Sequence, residues 1–308
     1  MQTNPVRIGT RGSPLALAQA HTVRDRLVAA TGRPSEDFVI AVMSTAGDRV
    51  TDRALSEIGG KGLFTQEIED ALADGRIDLA VHSAKDMPTV LPDGLHLAGY
   101  LPRADVRDVF LSAHAGGLAG LAAGQVVGTA SLRRGALIRR ARPELGVINF
   151  RGNVQSRLRK LSEGVVDATL LALAGLTRLG MADIASEILP LEDFPPAVGQ
   201  GAIAIEARIA DPATAALLAP VLDRDTGIAL VAERAFLAVL DGSCRTPIAG
   251  HAVVSGDGVA FHGLILTPDG REWHEIRLDG EAGAAAELGA EAGRVLRGRA
   301  RPNFFAAV

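Results

Sequence analysis

The chain has 308 residues, a formal net charge of −4, and 47% hydrophobic against 22% charged residues, which suits a soluble globular protein with enough apolar content for two or three domains. Its single cysteine excludes an intrachain disulfide framework and a cysteine-cluster zinc site, and no H-E-x-x-H spacing occurs among its seven histidines, so no metal is expected. The start, MQTNPVRIGTRGSPLALAQA, has neither a leader nor a transit pattern, and no apolar run approaches the roughly 20 residues that span a bilayer; a cytoplasmic protein with no membrane association is expected.

VRIGT (6–10) reads as a buried strand, followed by the loop RGS and a helix from Pro14 to about Ala30, with Ser13 as N-cap and Pro14 in the first helical position. DFVIAVM (37–43) is a second strand and GGKG (59–62) a glycine-rich turn. LFTQEIEDALADG predicts a helix stopping at Gly75, and IDLAVHS (77–83) a third strand. A second block has strands at DVFLSA (108–113), QVVGTAS (125–131), GVINF (146–150) and DATLLAL (167–173), with helices SLRRGALIRRA and NVQSRLRKLSEG between the last three. Pro190, Pro195 and Pro196 mark a rigid connection to a further strand, GAIAIEAR (201–208). Strands alternating with helices predict βαβ units and a mainly parallel sheet. IGTRGSPLAL and VGTASLRRGAL share one layout of strand, Gly-Thr, loop, Ser and helix, a weak internal echo that predicts two similar lobes.

After about residue 220 the pattern changes. TGIALVAERAFLAVLDG (226–242) is helical; HAVV, VAFHGLIL and REWHEIRL follow as strands separated by the turn signals SGDG and TPDG, and AGAAAELGAEAGRVLRG closes as a helix. This predicts a small α+β domain with a three-stranded antiparallel sheet. Cys244 lies on the loop that leaves the first of these helices.

From Ser131 to Lys160 stand nine basic residues (Arg133, Arg134, Arg139, Arg140, Arg142, Arg151, Arg157, Arg159, Lys160) against Glu144 alone, which in an acidic chain implies an anionic partner. Phe150 is the one aromatic of the stretch, so the stacking platform of single-strand nucleic-acid binders is missing and no nucleic acid is expected. Arginine outnumbers lysine eight to one, which favours bidentate capture of carboxylate or phosphate; a solvated helix face is the alternative.

Thr10-Arg11-Gly12-Ser13, Thr129-Ala130-Ser131 and Arg151-Gly152-Asn153 each put polar residues where a strand ends and a helix begins, the place where backbone N–H groups and the helix dipole receive anions. Taken singly, each serine is a cap. Arginines at or beside all three predict an extended carboxylate-binding cleft. Neither G-x-x-x-x-G-K-[ST] nor a helix-opening G-x-G-x-x-G occurs, so nucleotide binding lacks its usual signature.

In VHSAKDMP (81–88), Lys85 and Asp86 leave a very apolar strand and stop at Pro88. Asp86 could form a turn, or stabilise a developing cation and exchange protons; Lys85 could pair with it, bind an anion or form a Schiff base; His82 reads as a packed neighbour. Cys244, in LDGSCRTPIAG, could be a buried filler, a nucleophile or an attachment point, with Arg245 favouring the thiolate.

The residues together resemble the porphobilinogen deaminase (hydroxymethylbilane synthase) family. ERAFLAVLDGSCRTPIAG (233–250) is similar to its cofactor-attachment signature, and the likeness runs through RIGTRGSPLALAQA, GGKGLFTQEIE, DLAVHSAKDMP, VGTASLRR, FRGNVQSRL, LALAGLTRLG and PAVGQGA in that order. The resemblance implies condensation of four porphobilinogen molecules, with loss of ammonia, into the linear tetrapyrrole hydroxymethylbilane, primed on a dipyrromethane in thioether linkage to Cys244. It implies Asp86 as the catalytic carboxylate, Ser13, Lys85, Ser131, Arg133 and Arg134 on the cofactor, and Arg11, Gln19, Lys61, Phe64, Arg151, Arg157, Arg178 and Gln200 on the substrate. The implied fold is α/β, with two lobes like type-two periplasmic binding proteins plus the small α+β domain: residues 1–101 with 202–219, then 102–201, then 220–308. The first lobe is to be completed by strand 201–208. A monomer is expected, passing its product to a tetrapyrrole-cyclising enzyme. Two residues depart from the family pattern: Glu57 stands where some members have a lysine, and Ala130 where a serine is common.

Overall fold

The computed structural model describes residues 5–45, 47, 65–242 and 246–306; Glu57, Lys61, Phe64 and Cys244 lie outside the described residues. Strand β1 (Val6–Arg11) runs into Ser13, whose hydroxyl accepts the Ala16 N–H at 3.2 Å and caps α1 (Pro14–Thr31), which stops on Gly32 in the left-handed region (φ 68°). Next come β2 (Phe38–Met43), α2 (Gln66–Ala73) and β3 (Leu79–Ser83), which passes into a 3-10 turn at Ala84–Asp86, and then β4 (Leu95–Tyr100). The second block comprises β5 (Asp108–Ser112), β6 (Val126–Gly128), α3 (Leu132–Ala141), β7 (Gly146–Ile148), α4 (Val154–Ser162), β8 (Ala168–Ala172), α5 (Leu173–Arg178) and β9 (Glu187–Ile188). The chain continues through β10 (Ile203–Arg208), α6 (Pro212–Leu218), α7 (Arg224–Val239), β11 (Ile248–Ser255), β12 (Gly258–Leu266), β13 (Trp273–Glu281) and α8 (Ala285–Arg299).

These elements form two compact units. The first takes its described residues from within Met1–Asp52, Gly60–Ala104 and Ala202–Gly227, the second from Asp105–Gly201 and Ile228–Val308. The first unit holds a five-stranded sheet in the order β2-β1-β3-β10-β4, and the second one in the order β7-β6-β8-β5-β9. In each, four strands run in the same direction, and the strand in fourth place (β10 or β5) runs against them, antiparallel to both of its neighbours. The expected mainly parallel arrangement holds in each of the two sheets, with one reversed strand, whose direction follows the route of the connecting chain and is recorded by no local residue pattern.

The two sheets repeat one plan, and the echo between IGT and VGT falls on β1 and β6, the second strand of each order. The shared glycine has a packing reason: a Cβ on Gly9 would collide with the Ile77 side chain, and one on Gly128 would lie 2.6 Å from Phe150 Cγ.

Successive strand residues serve opposite faces. In the first unit Ile8, Val23, Leu27, Phe38, Leu79 and Ile205 build one core, and Ile68, Leu72, Ile77 and Ala80 another. In the second unit, Phe110, Leu137, Ile138 and Leu170 share a single core with Ala249, Leu264 and Leu266 of the three-stranded antiparallel sheet β11-β12-β13. The β12–β13 turn presses on α3: Arg139 Nη1 donates to the Pro268 carbonyl at 3.2 Å, Arg140 lies 4.1 Å from the Trp273 ring centroid, and Gly270 leaves no room for a side chain against the Ala136 carbonyl.

Candidate functional site

In the first unit β1 and β3 are parallel neighbours, with Ile8 opposite Leu79, so their C-terminal ends share one sheet edge. Arg11 ends β1 at that edge and Ser13 follows it, and Lys85 and Asp86 follow β3, Asp86 exposed and Lys85 partly buried in the 3-10 turn. Gln19 is buried on α1 and its amide donates to Ser83 Oγ at 3.0 Å, which ties the helix to the end of β3 just before Lys85. His82, the side chain before Ser83, is buried with Nε2 3.2 Å from Glu206 Oε2. Burial pushes the nearby Glu69 carboxyl up, and the negative charge of Glu206 adds to that shift.

In the second unit β6 is parallel to both β7 and β8, so Ser131 and Arg151 follow two strand ends on one edge, while Arg178 closes α5, the helix that begins where β8 ends. Ser131 caps α3, its hydroxyl accepting the Arg134 N–H at 3.4 Å, and Asn153 caps α4, accepting the Ser156 N–H at 2.9 Å. Arg157 Nε donates to the Gly152 carbonyl at 2.9 Å and Lys160 Nζ to the Arg151 carbonyl at 3.1 Å, which knit the turn after β7 to α4. Arg178 Nη2 donates to the Gly201 carbonyl at 2.6 Å, and burial lowers its guanidinium pKa.

Arg133 and Arg134 meet at a residue that sequence reasoning missed. Arg133 Nη2 donates to Asp108 Oδ2 and Arg134 Nη2 to Asp108 Oδ1, both at 2.7 Å, while their Nη1 atoms reach the Pro195 and Leu170 carbonyls at 2.7 and 3.0 Å. Gln200 points its amide into the same cluster, donating to Asp108 Oδ1 and the Val106 carbonyl, each at 2.7 Å. Burial alone would raise the Asp108 carboxyl, but the two guanidiniums outweigh it and hold the group well below the usual carboxylate range. The signal for Asp108 was an acid opening an apolar strand in a basic block, but its partners lie 25 and 26 residues downstream.

The basic stretch is therefore less available to ligand than its count implies. Arg133 and Arg134 are engaged with Asp108, Arg139 with backbone carbonyls, Arg140 with Trp273, and Arg142 with Glu144 at 2.5 Å. In the first unit Ser13 caps a helix N-terminus two residues after Arg11; in the second, Ser131 and Asn153 cap helix N-termini in the stretch that carries Arg151 and Arg157, and the buried Nε of Arg133 and of Arg134 have no partner among the described residues. A group bearing several carboxylates, as a dipyrromethane does, fits the capped helix N-termini and arginines of the second unit. Among the described residues no group of three or more His, Cys, Asp or Glu could hold a metal, and no helix is long and apolar enough to cross a membrane.

Comparison with known proteins agrees with this chemistry. Residues 6–216 match the family profile described as "Porphobilinogen deaminase, dipyromethane cofactor binding domain", and residues 228–298 match "Porphobilinogen deaminase, C-terminal domain". A porphobilinogen deaminase from Nitrobacter winogradskyi is 58% identical over 298 residues, covering 97% of this chain and 94% of that protein. Among solved structures, a putative methionine-binding lipoprotein from Bacillus subtilis aligns with a TM-score of 0.43 at 12% identity, over 71% of this chain and 90% of that one. A periplasmic substrate-binding protein from Coxiella burnetii aligns with a TM-score of 0.43 at 14% identity, over 70% of this chain and 91% of that one. The profiles and the relative cover nearly the whole chain, and the chain belongs to the porphobilinogen deaminase family.

Proposed function

We propose that this enzyme joins four porphobilinogen molecules head to tail on its primer, losing one ammonia per addition, and that water then cleaves the bond to the primer and releases the tetrapyrrole as hydroxymethylbilane, with Asp86 as the catalytic carboxylate and Cys244 as the thioether anchor. The observation that carries the reading is the match of both family domains along nearly the full length, at 58% identity to a named relative. The dipyrromethane supplies the primer to which substrate units are added. Ser13, Lys85, Ser131, Arg133 and Arg134 hold it: the serines at helix N-termini, the cations as partners for its carboxylates.

Asp86 sits on a turn at the end of β3. A carboxylate there accepts a hydrogen bond from the substrate's pyrrole N–H. As the aminomethyl nitrogen departs with its bonding pair, positive charge spreads over the ring, and the contact with Asp86 strengthens. The negative charge also favours the protonated, departing form of the amine. Arg11, Arg151, Arg157 and Arg178 neutralise the acetate and propionate arms and fix the orientation of each incoming unit. Gln19 and Gln200 contribute shape more than charge, since their amides engage Ser83 and Asp108. Lys61 and Phe64 complete the substrate set in this proposal.

The same reading divides the chain into residues 1–101 with 202–219, 102–201, and 220–308, and describes a cytoplasmic monomer that hands its product to a tetrapyrrole-cyclising enzyme. The test is Asp86→Asn: the variant melts within 1–2 °C of wild type by expectation, yet ammonia release falls by about 10²–10⁴-fold. Turnover near that of wild type would remove Asp86 from the chemistry.

A further inference from the structure

We propose that Asp108 is a positioning residue of the reaction: it holds Arg133 and Arg134 together as one buried receptor for a carboxylate, and Gln200 locks it in place. This rests on the reading of the second unit as the cofactor- and substrate-holding edge.

Asp108 is fully buried, and among the described residues it is the one carboxylate in ion-pair contact with either guanidinium. Here two cations, 3% and 5% exposed, meet one anion, which leaves a surplus positive charge in a poorly solvated place. Burial lowers the Arg133 guanidinium pKa, the attraction of Asp108 opposes that, and the neighbouring Arg134 adds to the lowering. The donor count points the same way. Each guanidinium spends one η nitrogen on Asp108 and the other on a backbone carbonyl, and each buried Nε has no partner among the described residues. An unpaired charge together with two unmatched N–H groups describes a site that awaits a second anion, and the ligand class it fits is a carboxylate arm.

Asp108 is suited to positioning because each of its oxygens takes a different arginine, which fixes the angle between the two planar groups. Gln200 Nε2 bonds Oδ1 from the other side and is itself tied to the Val106 carbonyl, so Asp108 cannot rotate without breaking the set. The loop carrying Gln200 is held in turn by Glu233 of α7, which accepts the Gly199 and Ala252 N–H groups at 2.8 Å each.

The experiment uses full-length Asp108→Asn and Gln200→Met beside wild type, with thermal melting, intact mass of the denatured protein for the fraction carrying dipyrromethane, and steady-state kinetics per holo chain. Asp108→Asn is expected to carry the group on fewer than a third of its chains, and to raise KM for porphobilinogen tenfold or more while kcat per holo chain stays within threefold. Gln200→Met, which keeps every charge, is expected to raise KM two- to fivefold; should Asp108→Asn not fold, Asp108→Glu, which keeps the charge but moves it outward by one methylene, decides the matter, with the same expected loss of occupancy and rise in KM. A lowered melting point with wild-type occupancy and KM in the folded variants would assign Asp108 a structural role only and overturn the proposal. An unmodified mass in wild type would instead overturn the thioether reading, and the KM comparison would still decide Asp108.

Discussion

Replacing Gly128 with alanine would place a methyl carbon 2.6 Å from Phe150 Cγ and 2.9 Å from its Cβ and Cδ1. Carbon contacts settle near 3.5–4.0 Å, so the ring must retreat by about 1 Å. It has little room to do so, being 3% exposed, and the residue after it is Arg151. Overpacking of this kind costs about 1–3 kcal/mol, offset by roughly 0.4–1 kcal/mol because alanine stiffens the unfolded chain. A net loss near 1.5 kcal/mol lowers Tm by about 3–6 °C at the ~2–4 °C per kcal/mol of a unit this size. The displacement of Arg151 raises KM for porphobilinogen several-fold, while kcat, assigned to Asp86 on the other unit, changes little. Differential scanning calorimetry and steady-state kinetics read the two effects. Gly116→Ala is the control, since nothing lies within 4 Å of its would-be Cβ. A Gly128→Ala protein with wild-type Tm and KM would refute the link between this packing and Arg151.

Glu69 is buried with a raised pKa, so folding favours its neutral form; that contribution is full below the unfolded value near 4.3 and is lost as pH rises through the folded pKa. Glu69→Gln should therefore raise Tm at pH 8 and lose that advantage below about pH 4, and equal melting curves at both pH values would contradict the assignment. Asp78 has the opposite sign: burial pulls its pKa up, but hydrogen bonds from the Arg7 side chain and backbone outweigh this and leave it lowered. Its stabilisation is present above the unfolded pKa near 3.9 and fades as pH falls through the folded value, so Asp78→Asn should cost about 1 kcal/mol at pH 7 and flatten the acid limb of a pH–Tm curve. Trp273→Ala removes the platform under Arg140 and should lower Tm by about 2–4 °C with unchanged kcat, since the stacking is worth roughly 1 kcal/mol.

Features written in neighbouring residues were legible before the structure. Ser13-Pro14 and Asn153 announce α1 and α4 because a cap bonds within three residues of itself, and SGDG and TPDG announce the hairpins of β11-β12-β13 because turn chemistry is local. The repeated Gly-Thr layout located β1 and β6 at matching places in two sheets. Strand β4 was not foreseen: LHLAGY breaks its alternation at Gly99, and its pairing partner β10 lies about a hundred residues downstream. Long-range ion pairing was equally hidden. The arginine count of 131–160 pointed to carboxylates, and only the fold shows that Arg133 and Arg134 share Asp108. Gln200 was expected to line the site, and its bond to Asp108 was equally hidden, since the two lie 92 residues apart.

The central claim is that Cys244 tethers the primer on which the chain grows, and the intact mass of the denatured, active protein tests it most directly. Wild type should weigh more than its sequence by one dipyrromethane, and Cys244→Ser should weigh its sequence alone and show no turnover. A fully active wild-type protein at its unmodified mass would contradict the account.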